Sequence, residues 1–176
     1  MTNENKGKNV FVTVGTTRFD KLVSAATSKI ALEWMERQGF SSLTIQYGKG
    51  SKPEIPPEVL RTTHLAIQMY DFRPSLKADM EHAGLILSHA GAGTVMEVLH
   101  LKKRLVVVIN TQLMDNHQIE LAGAMADRGH LFVVDRPEKL DDRRTWLSFE
   151  EFSPVLFEAG DPYDMPRLLD SFFGML

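Results

Sequence analysis

One pattern constrains the fold more than any other: a short, continuous apolar run followed by a stretch with helical spacing, repeated along the chain. Candidate strands fall at 10–14, 43–47, 65–69, 85–88, 105–109 and 131–134. Most of these runs show little polar alternation, as expected of parallel strands covered on both faces. After the first run, Phe19, Leu22, Val23, Ala26, Ile30 and Trp34 recur at spacings of three and four, with Gly39 just beyond. That spacing predicts one helix. Further helices are expected at 75–83, 94–101 and 116–128, and residues 48–57 read as a surface loop. Strand–helix alternation of this kind predicts an α/β fold, a doubly wound and mostly parallel sheet with right-handed crossovers.

Composition narrows what such a sheet can do. With 176 residues the chain is long enough for one core that buries roughly 70% of its unfolded surface, so a single domain is expected. Twenty Lys and Arg against twenty-three Asp and Glu leave a net charge of −3. No basic run is longer than Lys102-Lys103-Arg104, which argues against a nucleic-acid partner. There is no cysteine, which excludes disulfides, thiolate metal sites and a cysteine nucleophile. The histidines show no metal-ligand spacing, so neither a metal nor another cofactor is expected. Residues 1–9 are polar and read as a disordered tail without a secretory signal. No apolar run approaches the ~20 residues of a membrane span. The expectation is a cytoplasmic chain that inserts in no membrane directly.

The last forty residues change character. Residues 136–154 read as polar and irregular, and the mixed charges of Asp141-Asp142-Arg143-Arg144 as solvated. From Pro162, residues Met165, Leu168, Leu169, Phe172, Phe173 and Leu176 form one apolar stripe, predicting an amphipathic helix at 162–176. The stripe packs either on its own sheet or on another chain.

Ligands of open α/β sheets bind beyond the carboxyl ends of the strands, and three loops there carry unusual chemistry. In Val14-Gly15-Thr16-Thr17-Arg18-Phe19-Asp20, Gly15 allows a sharp turn. The amides and hydroxyls of Thr16 and Thr17 suit a phosphate, while Thr17 and Asp20 also fit a plain capping box. In Ser88-His89-Ala90-Gly91-Ala92-Gly93-Thr94, two glycines let backbone amides approach an anion. It is no P-loop, and as a dinucleotide fingerprint it is incomplete, with Met96 at the third small position. Thr94 and Glu97 again match a capping box; the alternative for Glu97 is a carboxylate accepting from ribose hydroxyls. The third loop ends in Asp115-Asn116-His117-Gln118, polar enough for a polyhydroxylated ligand, although Asp115 and Gln118 could also form a cap.

Taken in order, Val10 to Thr17 with Phe19-Asp20, Leu87 to Thr94 with Glu97, and Leu113 to Gln118 with Glu120-Leu121-Ala122 resemble one family. It is the catalytic, donor-binding subunit of the eukaryotic UDP-N-acetylglucosamine transferase that adds the second sugar to the dolichol-linked oligosaccharide. That family is related to the C-terminal half of the bacterial glycosyltransferase that makes lipid II, the glycosyltransferase family 28 C-terminal domain. The resemblance implies a Rossmann-like donor half of a two-domain (GT-B) enzyme, here residues 10–176. It implies that the turn of Gly15, Thr16 and Thr17 and the loop of Gly91, Ala92, Gly93 and Thr94 face the diphosphate, that His89 is a substrate-binding residue, and that Glu97 holds the ribose. By the same resemblance Asn116, His117 and Gln118 lie at the donor sugar. Arg18 departs from the family pattern, where a small residue is expected; it either alters the first turn or sets a cation beside the phosphates.

The implied reaction is an inverting, metal-independent transfer of GlcNAc from UDP-GlcNAc to GlcNAc-diphospho-dolichol. The implied partner is a membrane-anchored, acceptor-binding subunit that recruits the chain to the cytosolic face of the endoplasmic reticulum as a heterodimer. No catalytic residue is assigned: the base is expected on the partner, with His89 the lesser candidate. Two other readings of the residues stay open. One is a non-catalytic nucleotide-sugar-binding or regulatory subunit, the other an NAD-linked oxidoreductase.

Overall fold

The computed structural model describes residues 8–110 and 116–158. The predicted helix at 162–176, most of the predicted N-terminal tail and Asp115 lie outside the described residues. Six strands form one sheet: β1 (Asn9–Thr13), β2 (Ser42–Gln46), β3 (Ala66–Tyr70), β4 (Ala83–His89), β5 (Arg104–Val108) and β6 (Phe132–Val134). Every pair is parallel, in the order β3-β2-β1-β4-β5-β6. The doubly wound expectation therefore holds. The chain builds outward from β1 to β3 on one side, then returns to lay β4 against the other side of β1.

Strand side chains alternate between two apolar layers. Val10, Val12, Leu85, Leu87, Val106 and Val108 face one, whereas Phe11, Ile86, Leu105 and Val107 face the other. Helices cover both faces at the centre of the sheet, which is why β4 and β5 read as nearly continuous apolar runs, whereas the edge strand β3 carries polar residues and is partly exposed. The first layer contains α1 (Asp20–Ala26) and α2 (Lys29–Arg37). The second contains α5 (Ala92–His100) and α6 (Asn116–Asp127). Two short helices, α3 (Pro57–Thr62) and α4 (Lys77–His82), precede β3 and β4. Among the described residues, no helix is long and apolar enough to cross a membrane.

Two expectations are corrected. The single helix predicted after β1 is two, broken at Thr27 and Ser28. The Thr27 hydroxyl donates back to the Val23 and Ser24 carbonyls, and the Ser28 hydroxyl accepts from Ala31 N–H as the cap of α2. Hydroxyl side chains that satisfy backbone groups locally favour ends over interiors. The apolar spacing runs through the break because both pieces pack on the same layer.

Residues 136–154 are not irregular either. A 3-10 turn (Pro137–Asp141) leads into α7 (Arg143–Glu151), whose first turn is capped by the Asp142 carboxylate accepting from Arg144 N–H. This segment buries Leu140, Trp146 and Phe149 completely. Trp146 stacks on Trp34 with ring centroids 4.2 Å apart, and its indole N–H donates to the Leu140 carbonyl at 2.8 Å. Asp141 to Arg144 are exposed, as expected.

Candidate functional site

The chain leaves β1 towards β2 and leaves β4 towards β5, so the loops after these neighbouring strands diverge and leave a crevice at the carboxyl end of the sheet. The two glycine loops singled out in the sequence flank it.

The first loop turns at Gly15, which has φ +60°. A side chain there would be strained and would approach His89 Cε1 to 3.1 Å. Its N–H donates to the Thr13 hydroxyl at 3.1 Å. Thr17 does not cap a helix. Its N–H and hydroxyl both donate to the Val14 carbonyl, at 3.2 and 2.8 Å, which closes the turn. The first helix begins only at Asp20, after Phe19, without a side-chain cap. The capping-box alternative for Thr17 and Asp20 is therefore wrong, and so is the idea that the Thr17 amide stands free. Thr16 N–H alone in this turn has no hydrogen-bond partner among the described residues. Asp20 instead ties the loop to its neighbour, accepting from Arg18 Nε at 2.8 Å and from Ser51 N–H at 2.9 Å. Arg18 is thus an exposed rim residue engaged with Asp20.

The second loop is only two residues long. His89 ends β4, Ala90 follows, and Gly91 is already the N-cap position of α5. No side chain among the described residues caps this helix. Its first N–H groups are open, with roughly half a positive charge from the helix dipole behind them. Thr94 and Glu97 are the third and sixth residues of α5, so the capping box offered as an alternative for Glu97 does not form. The Glu97 carboxylate is exposed and makes no hydrogen bond or ion pair with the described residues.

His89 sits between the loops. It is only 9% exposed, and its Nδ1 is buried with no hydrogen-bond partner among the described residues. Burial holds the imidazole below the ordinary histidine range, with the Thr13 main chain pulling weakly the other way. At neutral pH the ring is therefore uncharged, one nitrogen a donor and the other an acceptor. A Cβ at Gly91 would collide with His89 Nε2, and one at Gly15 would also reach 4.0 Å from the Thr94 hydroxyl. Gly15, His89, Gly91 and Thr94 are thereby brought together. A buried polar atom such as Nδ1 without a partner is costly, while the ring nitrogen that lies beside the start of α5 is the other one, Nε2.

The helix α6 begins at Asn116, after β5 and beside β4, so the backbone of Asn116, His117 and Gln118 opens at the same end of the sheet. Their side chains lie outside the description, as does the predicted cap at Asp115.

Sequence reasoning missed Gln46, the last residue of β2. It is 1% exposed, and its amide bonds both the first loop and the loop after β3. Its only signal was a polar residue ending an apolar strand. The cluster of Tyr70, Arg73 and Asp79 after β3 was missed as well. Tyr70 donates to Asp79 at 2.6 Å, Arg73 pairs with the same carboxylate, and burial with that anion raises the phenol above its usual range.

Residues 9–148 match the glycosyltransferase family 28 C-terminal domain. The UDP-N-acetylglucosamine transferase subunit ALG13 of Homo sapiens is 45% identical over 125 residues, 71% of this chain and 11% of that protein. The chain thus spans about a tenth of the length of that relative. A solution NMR structure of ALG13 superposes with a TM-score of 0.69 at 25% identity, covering 96% of this chain and 98% of that one. The crystal structure of Acinetobacter baumannii MurG shares the fold, with a TM-score of 0.60 at 22% identity over 85% of this chain and 44% of that one. Strand order alone fits dinucleotide-binding oxidoreductases equally well. The sequence match decides between the two: the chain belongs to the glycosyltransferase family 28 C-terminal domain family.

Proposed function

We propose that the chain is the donor-binding, catalytic subunit of a UDP-GlcNAc transferase, acting on GlcNAc-diphospho-dolichol with a membrane-anchored partner at the cytosolic face of the endoplasmic reticulum. The observation that carries the reading is the convergence of Gly15, His89, Gly91 and Thr94 on one crevice, with an uncapped α5 and an unpartnered buried imidazole. The name of the human relative supplies the sugar nucleotide.

In this reading the UDP diphosphate lies across the crevice. The open amides of α5 and Thr16 N–H donate to its oxygens, and neutral His89 adds one more donor without bringing a charge. Glu97, exposed on the same helix and committed to nothing else, accepts from the ribose hydroxyls. Asn116, His117 and Gln118 take the sugar. The acceptor's 4-hydroxyl attacks the anomeric carbon from the face opposite UDP, the bond to the diphosphate breaks, and UDP leaves with the electron pair. Negative charge grows on the diphosphate as this happens, so donors fixed in advance stabilise the transition state more than the ground state. The acceptor proton passes to a base on the partner, which in this reading forms the wall of the GT-B cleft that faces the six-stranded sheet.

The test is transfer of labelled GlcNAc from UDP-GlcNAc to a short-chain GlcNAc-diphospholipid, by the chain alone and co-expressed with its candidate membrane subunit. Product from the pair only is the expected result. Product from the chain alone would move the base to His89 or His117. Donor binding without product, in a correctly assembled pair, would leave a non-catalytic binding subunit.

A further inference from the structure

Gln46 is the most fully engaged polar side chain among the described residues, and the reaction outlined above gives it no task. It closes β2 in register with Thr13 of β1 and Tyr70 of β3. Its Oε1 accepts from the Thr13 hydroxyl at 2.6 Å and from Val14 N–H at 3.2 Å. Its Nε2 donates to the Gly15 carbonyl at 2.8 Å and to the Asp71 carbonyl at 2.8 Å. The orientation of the amide follows from these partners, since only a donor can face two carbonyls. All four of its hydrogen-bonding positions are used, in a site from which water is excluded.

We infer that Gln46 is a positioning residue for the anion-binding crevice, holding the β1–α1 and β3–α4 loops as one body and aiming Thr16 N–H at the ligand. The inference rests on the donor-site reading above. Gly15 is fixed at both ends: its N–H by the Thr13 hydroxyl, which itself leans on Gln46, and its carbonyl by Gln46 directly. The Gly15–Thr16 peptide is trans, so its C=O and N–H point in opposite directions. With the carbonyl turned inward to Gln46, the Thr16 N–H must point away from it. That N–H is the one in the turn with no partner among the described residues. One glutamine therefore sets the direction of a donor it does not touch. The second carbonyl it holds, that of Asp71, begins the Asp71–Phe72 peptide, so movement of either loop is felt by the other.

A glutamate could not replace it while ionised, because its oxygens would face two carbonyl oxygens. Methionine matches the length and apolar bulk but offers no donor, so Gln46→Met isolates the hydrogen bonds. Thr13→Val removes only one corner of the network and keeps a good strand former, which guards against a variant that fails to fold.

The experiment titrates UDP into the full chain and both variants by calorimetry, follows backbone amides by NMR, and checks cooperative thermal unfolding in the same samples. In the wild type, UDP should shift the amides of Thr16, Ala92 and Gly93. In Gln46→Met the Thr16 shift should vanish while those of Ala92 and Gly93 persist, with UDP affinity lower by roughly tenfold to a hundredfold. Before any ligand is added, amides in both loops should move together. Thr13→Val should weaken binding less, and the double variant should lose less than the product of the two factors. General destabilisation would reduce all UDP-induced shifts alike and would overturn the inference. So would a folded Gln46→Met chain that binds UDP like the wild type with the Thr16 shift intact. If the wild type itself bound no UDP, the donor-site reading would fall and take this inference with it.

Discussion

The two loops that meet at the crevice are built on opposite principles. The loop after β1 is closed on itself: Gly15 and Thr17 satisfy Thr13 and Val14, Gln46 holds the Gly15 carbonyl from below, and Asp20 ties it to Ser51. The loop after β4 satisfies almost nothing. It is two residues long, and among the described residues no side chain caps its helix and the histidine beneath it has a nitrogen without a partner. Folding accounts for the first arrangement except for Thr16 N–H, which it leaves without a partner among the described residues. The second leaves donors idle at a cost to the empty chain, and such groups are expected where a ligand completes them. The contrast separates a loop that mostly holds itself from one that mostly waits for a ligand: changes that only close the first turn, as at Thr17, should be read mostly in stability, and changes in the second loop mostly in binding.

The strongest challenge to that contrast is Gly91→Ala. The added methyl collides with a buried His89 that has little room to turn, and it closes the approach to the α5 amides. UDP affinity measured by calorimetry should fall roughly a hundredfold, about 2.8 kcal/mol. A loss below threefold would show that the helix start is not where the anion binds.

His89→Leu comes next. It should weaken UDP about tenfold while the melting temperature of the empty chain stays level or rises, since a buried polar atom without a partner is removed. The variant also has a pH signature. The folded-state pKa of His89 lies below its unfolded value, near 6.5. The unfolded chain therefore takes up the proton first as pH drops, and stability is lost below about pH 6.5. Chemical unfolding of His89→Leu between pH 7.5 and 5 should show a flatter decline than the wild type.

Glu97→Gln probes the same helix one turn later. About tenfold weaker UDP binding is expected, with thermal stability unchanged, because the carboxylate caps nothing. Equal affinity would remove Glu97 from the site. Thr17→Val, on the other side of the comparison, should show the reverse. It deletes the hydroxyl bond to the Val14 carbonyl and should cost about 1 kcal/mol of stability by denaturant titration. UDP affinity should stay within about threefold. If the threonine variant lost binding without losing stability, the division between scaffold and site would be wrong.

The strands were legible because their signal is local. The central strands β1, β4 and β5 are largely apolar runs buried on both faces, and all six strands appear within about two residues of where the runs predict. Helix starts were less legible. The pattern of a capping box occurs at Thr17–Asp20 and at Thr94–Glu97, but where a helix begins depends on how the chain turns out of the preceding strand. At Gly91 it turns at once; after Gly15 it first closes a separate turn and only then starts α1. α7 was hidden for another reason. Trp146 and Phe149 stand among charged residues, and the ring that receives Trp146 is Trp34, more than a hundred positions earlier. Of the crevice, the two glycine loops were visible as motifs. Gln46 was not, because its partners come from two loops at distances of 25 to 33 residues along the chain.

The stacked pair of Trp34 and Trp146 has an optical consequence. These are the chain's two tryptophans, each 1% exposed, with ring planes 18° apart. Indoles this close couple electronically, so near-ultraviolet circular dichroism and intrinsic emission should both be dominated by this one contact. The Trp34 indole N–H also donates to Glu150 at the end of α7, which ties the signal further to that helix. Light absorbed by tryptophan therefore reports on whether α7 is seated against α2, at the far side of a layer from the crevice. Titrating UDP should leave that signal nearly constant. Lifting α7 from its seat, by denaturant or by a partner chain that competes for the same face, should shift the emission to the red before the sheet itself unfolds.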